Sequence, residues 1–425
     1  MQPGAPILIV SYTFPPYRGI GGRRWMKFAK ALAERGHPVH VLHSEGPAEL
    51  KGSLWTEDLS TPGIQVHPIA QRYPTVLFKR PLQGFGEKVA YRLWSLVLPL
   101  LARGNWLDKT IFWRKPFLQV AGDLIVRYGI RDVIVTGAPF RLLAYGAELK
   151  KKHHGVRLTS DLRDPWTWHD GYGAGTLSAE RKRHEEQLEA AMMIGSDRIT
   201  SPHPSVVEHL RKRYPQHADK VRLLPHAIDP DELGPPLPAR NDGHFRLIYA
   251  GSLYGADEAE RYFAELLKAF HQLRASDPER YHHVSLDLYI TGHGVAQYRE
   301  RVAAAGLSER IRFHAPLPPK AIFRRIAAAD AVLSFIPSFN KDLLGTKFNE
   351  TFFLRRPLIH VGAPGLVSAH ILEHRLGISI PVDRLAEVLP RYLSGRESLP
   401  LDTSYDISEH LLARITERAA HDVFP

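Results

Sequence analysis

The sequence predicts an α/β protein made of two parallel-sheet domains, and three observations carry that reading. Short β-branched strands alternate with amphipathic helices along most of the chain. The alternation breaks once, in a proline-rich stretch over Asp229–His244, and then restarts. The length of 425 residues suits two or three domains rather than one.

The first half opens on an apolar strand, Ile7–Tyr12. A helix over Arg24–Arg35 follows, with Trp25, Phe28, Ala29 and Leu32 on one stripe. Gly36 is placed to end it. Further strands are predicted at Val39–His43, Asp132–Thr136, Val156–Ser160, Arg198–Ser201 and Val221–Leu224, with helices at Phe140–Lys152 and Ser205–Tyr214. The stretch Asp229–Pro238 holds four of the 33 prolines and reads as a stiff linker. Beyond it, strands are predicted at Phe245–Ala250, Ser285–Ile290, Ile311–His314, Ala331–Phe335 and Pro357–Val361. Helices fall at Glu258–Arg274, Val295–Ala305, Pro319–Ala328 and Thr346–Leu354.

Composition narrows the function. Apolar residues at 44% and charged residues at 24% describe a folded, soluble chain. The absence of cysteine excludes a disulfide scaffold, a cysteine nucleophile and thiolate metal sites. A net charge of +11 favours anionic partners such as nucleotides or an acidic membrane face. No signal peptide is read at the start, and the longest apolar run, Leu93–Ala102, is about half a membrane span. One segment stands apart. Lys79–Lys115 holds eight basic residues against two acidic ones, a net +6, together with Trp94, Trp106 and Trp113 around an apolar centre. It reads either as a membrane-surface patch or as an excursion packed on its own domain.

Three constellations sit where strands hand over to helices. Pro15–Arg24 contains Gly19, Gly21 and Gly22, which let a ligand approach the backbone ahead of a helix N-terminus. It also reads as a plain strand-to-helix turn. It is not G-x-G-x-x-G, and no P-loop motif occurs, so ordinary dinucleotide and ATPase sites are not expected. Asp161-Leu162-Arg163-Asp164-Pro165-Trp166 places two carboxylates and a guanidinium at a strand's carboxyl end, a ligand position in open parallel sheets. An Asp–Arg pair fixing the loop is the competing reading. Gly345-Thr346-Lys347 opens a helix whose next turn carries Glu350, offering free amides and a cation to a diphosphate.

The order of these motifs resembles the retaining glycosyltransferases of family 4, bacterial type. The likeness runs from about Pro6 to Val361. It rests on the Pro15–Arg24 loop, Asp161–Trp166, Val221–Asp229, Phe245–Gly255, Thr346–Glu350 and Arg356–Ile359. It implies the GT-B architecture, two Rossmann-like domains facing a central cleft. Residues 1–230 would hold the acceptor, 231–403 a UDP- or GDP-linked sugar, and 404–425 would cross back to the first domain. Asp161, Arg163 or Asp164 would face the reacting sugar. Gly21, Gly22, Arg24, Gly251, Ser252, Thr346, Lys347 and Glu350 would bind the donor, with Glu350 on the ribose and Lys347 on the phosphates. No metal or cofactor is implied. The family's paired glutamates stand eight positions apart; the earlier place here is Asp342. His226-Ala227 replaces the usual Asn-Gly before the hinge. The product would be a polysaccharide or glycoconjugate, made in the cytoplasm or on the inner membrane face, with no nucleic acid involved. A GT-B-like sugar-nucleotide epimerase is the alternative, and a non-catalytic anion binder a weaker one.

Overall fold

The computed structural model describes residues 4–17, 20–47, 52, 55–77, 79, 81–169, 171–234, 237–238, 242–253, 256–291 and 295–424. Arg18, Gly19, Arg80, Pro235, Pro236, Tyr254 and Gly255, all part of the sequence reading, lie outside the described residues. The chain forms two compact units: Met1–Ala227 with Leu412–Pro425, and Ile228–Leu411.

The first unit is a parallel sheet of β1 (Ile7–Ser11), β2 (Val39–Ser44), β3 (Ile64–Ile69), β4 (Asp132–Gly137), β5 (Arg157–Leu162), β6 (Arg198–Ser201) and β7 (Val221–Leu223), in the order β3-β2-β1-β4-β5-β6-β7. The central strands β1, β2 and β4 are buried at every position, as a sheet covered on both faces requires. The helix Arg23–Glu34 packs Trp25, Phe28 and Leu32 into a core that the helix Leu412–Asp422 completes with Ile415 and Ala419. The Phe424 ring lies 5.6 Å from Phe28 and 6.4 Å from Trp25. Each such aromatic contributes about 1.5–3 kcal/mol by leaving water.

The second unit is a parallel sheet of β8 (Phe245–Gly251), β9 (Val284–Ile290), β10 (Ile311–Phe313), β11 (Ala331–Ile336), β12 (Leu358–Gly362) and β13 (Gly377–Ile380), in the order β10-β9-β8-β11-β12-β13. Both sheets are doubly wound, and the strand order reverses between β1 and β4 and between β8 and β11.

Four sequence expectations need correcting. Strands β3 and β13 were not expected. The start of the proline-rich stretch, expected to be a stiff linker, is instead a short helix, Pro230–Leu233, which Asp229 caps by accepting from the Asp231 amide, with Pro230 in its first turn. Leu233 is buried in the second unit, Ile228 bridges Leu411, and the Ile228 amide donates to the His410 carbonyl. The divisions therefore fall at 227/228 and 411/412. Lastly, the segment Lys79–Lys115 contains an 18-residue helix, Gly84–Leu101, and its Trp113 belongs to the core, 1% exposed and edge-on to Tyr12.

Candidate functional site

In open parallel sheets, ligands meet the carboxyl ends of strands where the strand order reverses. Each unit has such a place, and the predicted residues divide between the two.

In the first unit, β5 runs on through Leu162, so Asp161 lies inside the sheet and not after it. Its register partners are Thr136 on β4 and Thr200 on β6. Both threonine hydroxyls donate to its carboxylate, at 3.0 and 2.8 Å. The Trp25 indole donates at 2.7 Å and the Arg24 guanidinium at 3.4 Å. The carboxylate is fully buried. Asp161 is thus a positioning residue that fixes the helix Arg23–Glu34 to the sheet, and its place among the three residues expected to face the sugar is corrected. Arg24 is corrected with it. Its Nη2 and Nη1 also donate to the Leu224 and Pro225 carbonyls, at 2.6 and 2.8 Å, while its Nε is buried with no partner among the described residues; Lys27 donates to the Ala227 carbonyl at 3.0 Å. These cations hold the end of β7 in place. Burial lowers the Arg24 pKa, with Asp161 opposing.

Arg163 and Asp164 are half-buried and paired at 3.0 Å. Arg163 also donates to the Gly21 carbonyl at 2.8 Å. A Cβ at Gly22 would stand 2.3 Å from the Thr13 carbonyl oxygen, so glycine is needed there for close packing. Sequence reasoning missed His203 and noted its neighbour His226 only as a departure from the family's pattern; their rings meet edge-on at 5.4 Å. Burial pushes the His203 pKa down to about 4 and that of His226 well below its ordinary value. The Nδ1 atoms of both are buried without a partner among the described residues. His203 stands two residues beyond β6 and His226 three beyond β7. For His203 the position after a strand was the only available signal.

In the second unit, Gly251 ends β8 with φ +150°. A Cβ there would fall 1.7 Å from Lys347 Nζ, so this glycine makes room for the ammonium. The same ammonium lies 6.0 Å from the centre of the Tyr249 ring. Lys347 is exposed as a residue, yet desolvation of its ammonium lowers the pKa to about 8, with Glu350 pulling the other way. Ser252 follows, its hydroxyl 2.8 Å from that of Thr291. Thr346 opens the helix Thr346–Phe353, but Gly345 is its N-cap, and no side chain takes the cap. The first-turn amides are therefore not claimed by a capping side chain. Glu350, one turn on, is 3% exposed. Asp342 accepts from the Leu366 amide at 3.0 Å and so serves the next helix, Leu366–Glu373.

Residues 21–232 match the model of the family "Glycosyltransferase Family 4". The chain belongs to this family. No curated protein matches it significantly. Among solved structures, a glycosyltransferase from Rickettsia africae is similar at 14% identity over 99% of this chain and 93% of its own, with a TM-score of 0.58. Anabaena Alr3699/HepE in complex with UDP is similar at 12% identity over 99% and 95%, with a TM-score of 0.58. The UDP-GlcNAc 2-epimerase of Methanocaldococcus jannaschii is similar at 10% identity over 98% of each chain, with a TM-score of 0.56. Such distant likenesses show the fold, which transferases and an epimerase share. The family match is what separates the two and makes this chain a glycosyltransferase.

Within this glycosyltransferase the predicted residues form two groups. Gly21, Gly22, Arg24, Asp161, Arg163 and Asp164 gather in the first unit. Gly251, Ser252 and Lys347 meet in the second, where Thr346 and Glu350 share the Lys347 helix. No group of three or more metal-ligating side chains occurs among the described residues.

Proposed function

We propose that this glycosyltransferase takes a UDP- or GDP-linked sugar on its second unit and transfers the sugar, with retention, to a glycan or lipid-linked acceptor. The observation that carries the donor assignment is Lys347. A glycine-sized gap at the end of β8 admits its ammonium, next to a helix whose first-turn amides carry no cap. A departing nucleoside diphosphate develops negative charge, and preorganised cations and helix amides stabilise that charge. Glu350, buried beneath, accepts the ribose hydroxyls in this reading. Arg163 and Asp164, the accessible members of the first unit's cluster, are assigned to the acceptor side. The reaction is proposed to need no metal. The structures of HepE with UDP and with UDP-glucose support the donor class.

The acceptor side is proposed to work at an anionic membrane face. No helix among the described residues is long and apolar enough to cross a membrane. The helix Gly84–Leu101 instead exposes Phe85, Leu93, Leu96, Leu100 and Leu101, with Lys88 and Arg92 exposed on the same helix. Apolar contact with adjacent basic residues suits reversible attachment.

Incubation with labelled nucleotide sugars tests the activity. Transfer or slow hydrolysis supports it; epimerisation of the free donor overturns it. A thermal-shift panel of UDP, GDP, ADP and TDP names the base, since ligand at about 100 times its Kd adds about 2.7 kcal/mol of stability.

A further inference from the structure

Against Gly104, just beyond the helix Gly84–Leu101, the first unit carries an open groove of about 420 Å³. Its lining includes Arg114, Arg141, Tyr145, Glu148, Lys151 and His184. These residues come from three helices, Arg114–Tyr128, Arg141–Lys152 and Ala179–Gly195.

The groove is built and cationic. Arg141 is only 7% exposed and is held by the Arg103 carbonyl and by Glu185 at 3.3 Å. Its Nε is buried with no partner among the described residues. Arg114 is fixed by a two-pronged contact to Glu148, at 2.7 and 2.6 Å. Lys151 is exposed and makes no ion pair among the described residues. Burial and the nearby Arg141 and Arg103 lower the His184 pKa, so its ring is neutral near pH 7. With their partners included, Arg114, Arg141, Lys151 and Lys152 stand against Glu148 and Glu185, which leaves a positive excess for an anion.

The groove is also joined to the apolar helix. Arg181 donates to the carbonyls of Ala102 and Gly104, at 2.8 and 2.7 Å, and to that of Pro99. A Cβ on Gly104 would stand 2.8 Å from His184 Cδ2 and 3.0 Å from Arg141 Nη2, so the chain leaving the helix runs along the groove wall. Leu96, Leu100 and Leu101, exposed at 70%, 85% and 61%, lie in the last two turns of that helix.

We propose that this groove binds the phosphate of a membrane lipid whose hydrocarbon lies along the exposed face of the helix Gly84–Leu101. The inference rests on the membrane reading above and goes further. A diffuse basic patch responds only to surface charge, whereas a walled groove whose arginines are held in place beside the exposed Lys151 also constrains the shape of the anion. A terminal phosphomonoester, which can enter end-on, is favoured over a phosphodiester at equal surface charge.

The test is sedimentation with phosphatidylcholine vesicles carrying phosphatidic acid or, at equal surface charge, phosphatidylglycerol. The wild type is expected to prefer phosphatidic acid. The Arg114→Gln/Lys151→Gln protein, altered only at exposed side chains, should lose that preference and bind phosphatidic acid vesicles about tenfold or more weakly. Leu96→Ser/Leu100→Ser should weaken binding to both vesicles. Melting temperature and UDP affinity should stay unchanged throughout, so failure of the donor assignment would appear separately. Equal binding of phosphatidic acid vesicles by the groove variant and the wild type overturns the proposal. So does a wild type without the preference. Wild-type protein that ignores all anionic vesicles sinks the membrane reading as well. Stabilisation by inorganic phosphate that requires Lys151, with vesicle binding that does not, assigns the groove to a soluble ligand and overturns the lipid source.

Discussion

The two units repeat one construction and use it in opposite ways. At the strand ends of the first unit, a carboxylate is sealed in the sheet by two threonines, a tryptophan and an arginine. At the end of β8 in the second unit, an ammonium stands in a gap left by a glycine, on a helix with an uncapped start. The same topological position can therefore seal a charge inside the fold or leave one at its margin, where we propose that the donor binds. Which it does depends on whether neighbouring strands supply partners. A charged residue at a strand end marks the place without saying which way it points.

The contrast predicts different failures. Asp161→Ala should do the most damage, stranding four buried donors at a cost of about 3–5 kcal/mol. Calorimetry should show the melting temperature falling by on the order of 10 °C. A stable Asp161→Ala protein that has lost only activity would return Asp161 to the reaction and break the comparison. Glu350→Ala should weaken nucleotide binding by about tenfold or more, through loss of a charge-assisted hydrogen bond. Unchanged affinity in titration calorimetry would remove the donor assignment.

A smaller effect concerns pH. Lys347 titrates near pH 8, well below an ordinary lysine. A bound diphosphate favours the charged form and raises that pKa. Below pH 8 the ammonium is already present; above it, binding must take up a proton, so affinity falls as pH rises from 8 towards 10. Lys347→Arg should flatten this fall, because arginine stays charged. An equally steep fall in that variant would place the titrating group elsewhere. The smallest expected effect is that of EDTA, which should leave the initial rate unchanged. Loss of activity restored by magnesium or manganese would overturn metal independence.

Most of the fold was legible because buried strands are continuous apolar runs and the covering helices carry a clear stripe. β3 was not, because it is an edge strand whose residues are largely exposed and include Pro68. β13 is only four residues long. The helix Gly84–Leu101 was legible as an apolar, basic segment but not as a helix, since its apolar residues face outward. At the site, Asp161 could be picked out, but its role could not. Its partners Thr136 and Thr200 lie 25 and 39 residues away and meet it only through sheet register. Lys347 and Glu350 could be grouped from the sequence because both lie on one helix. The groove at Arg141 was invisible for the same reason as the Asp161 cluster: its walls come from three separated helices.

The bridge between Ile228 and Leu411 gives the chain a nested topology. The second unit enters and leaves at neighbouring points, like a cassette set into the first. The first unit is built from two stretches of sequence, with Phe424 against Trp25 and Phe28. A fragment ending at Ala227 would therefore expose those rings and lack part of its own core, while 228–411 is continuous and brings its own ends together. A short peptide joining Ala227 to Leu412 would restore the outer unit without its insert. The gene can thus be divided into two proteins, though not by a single cut.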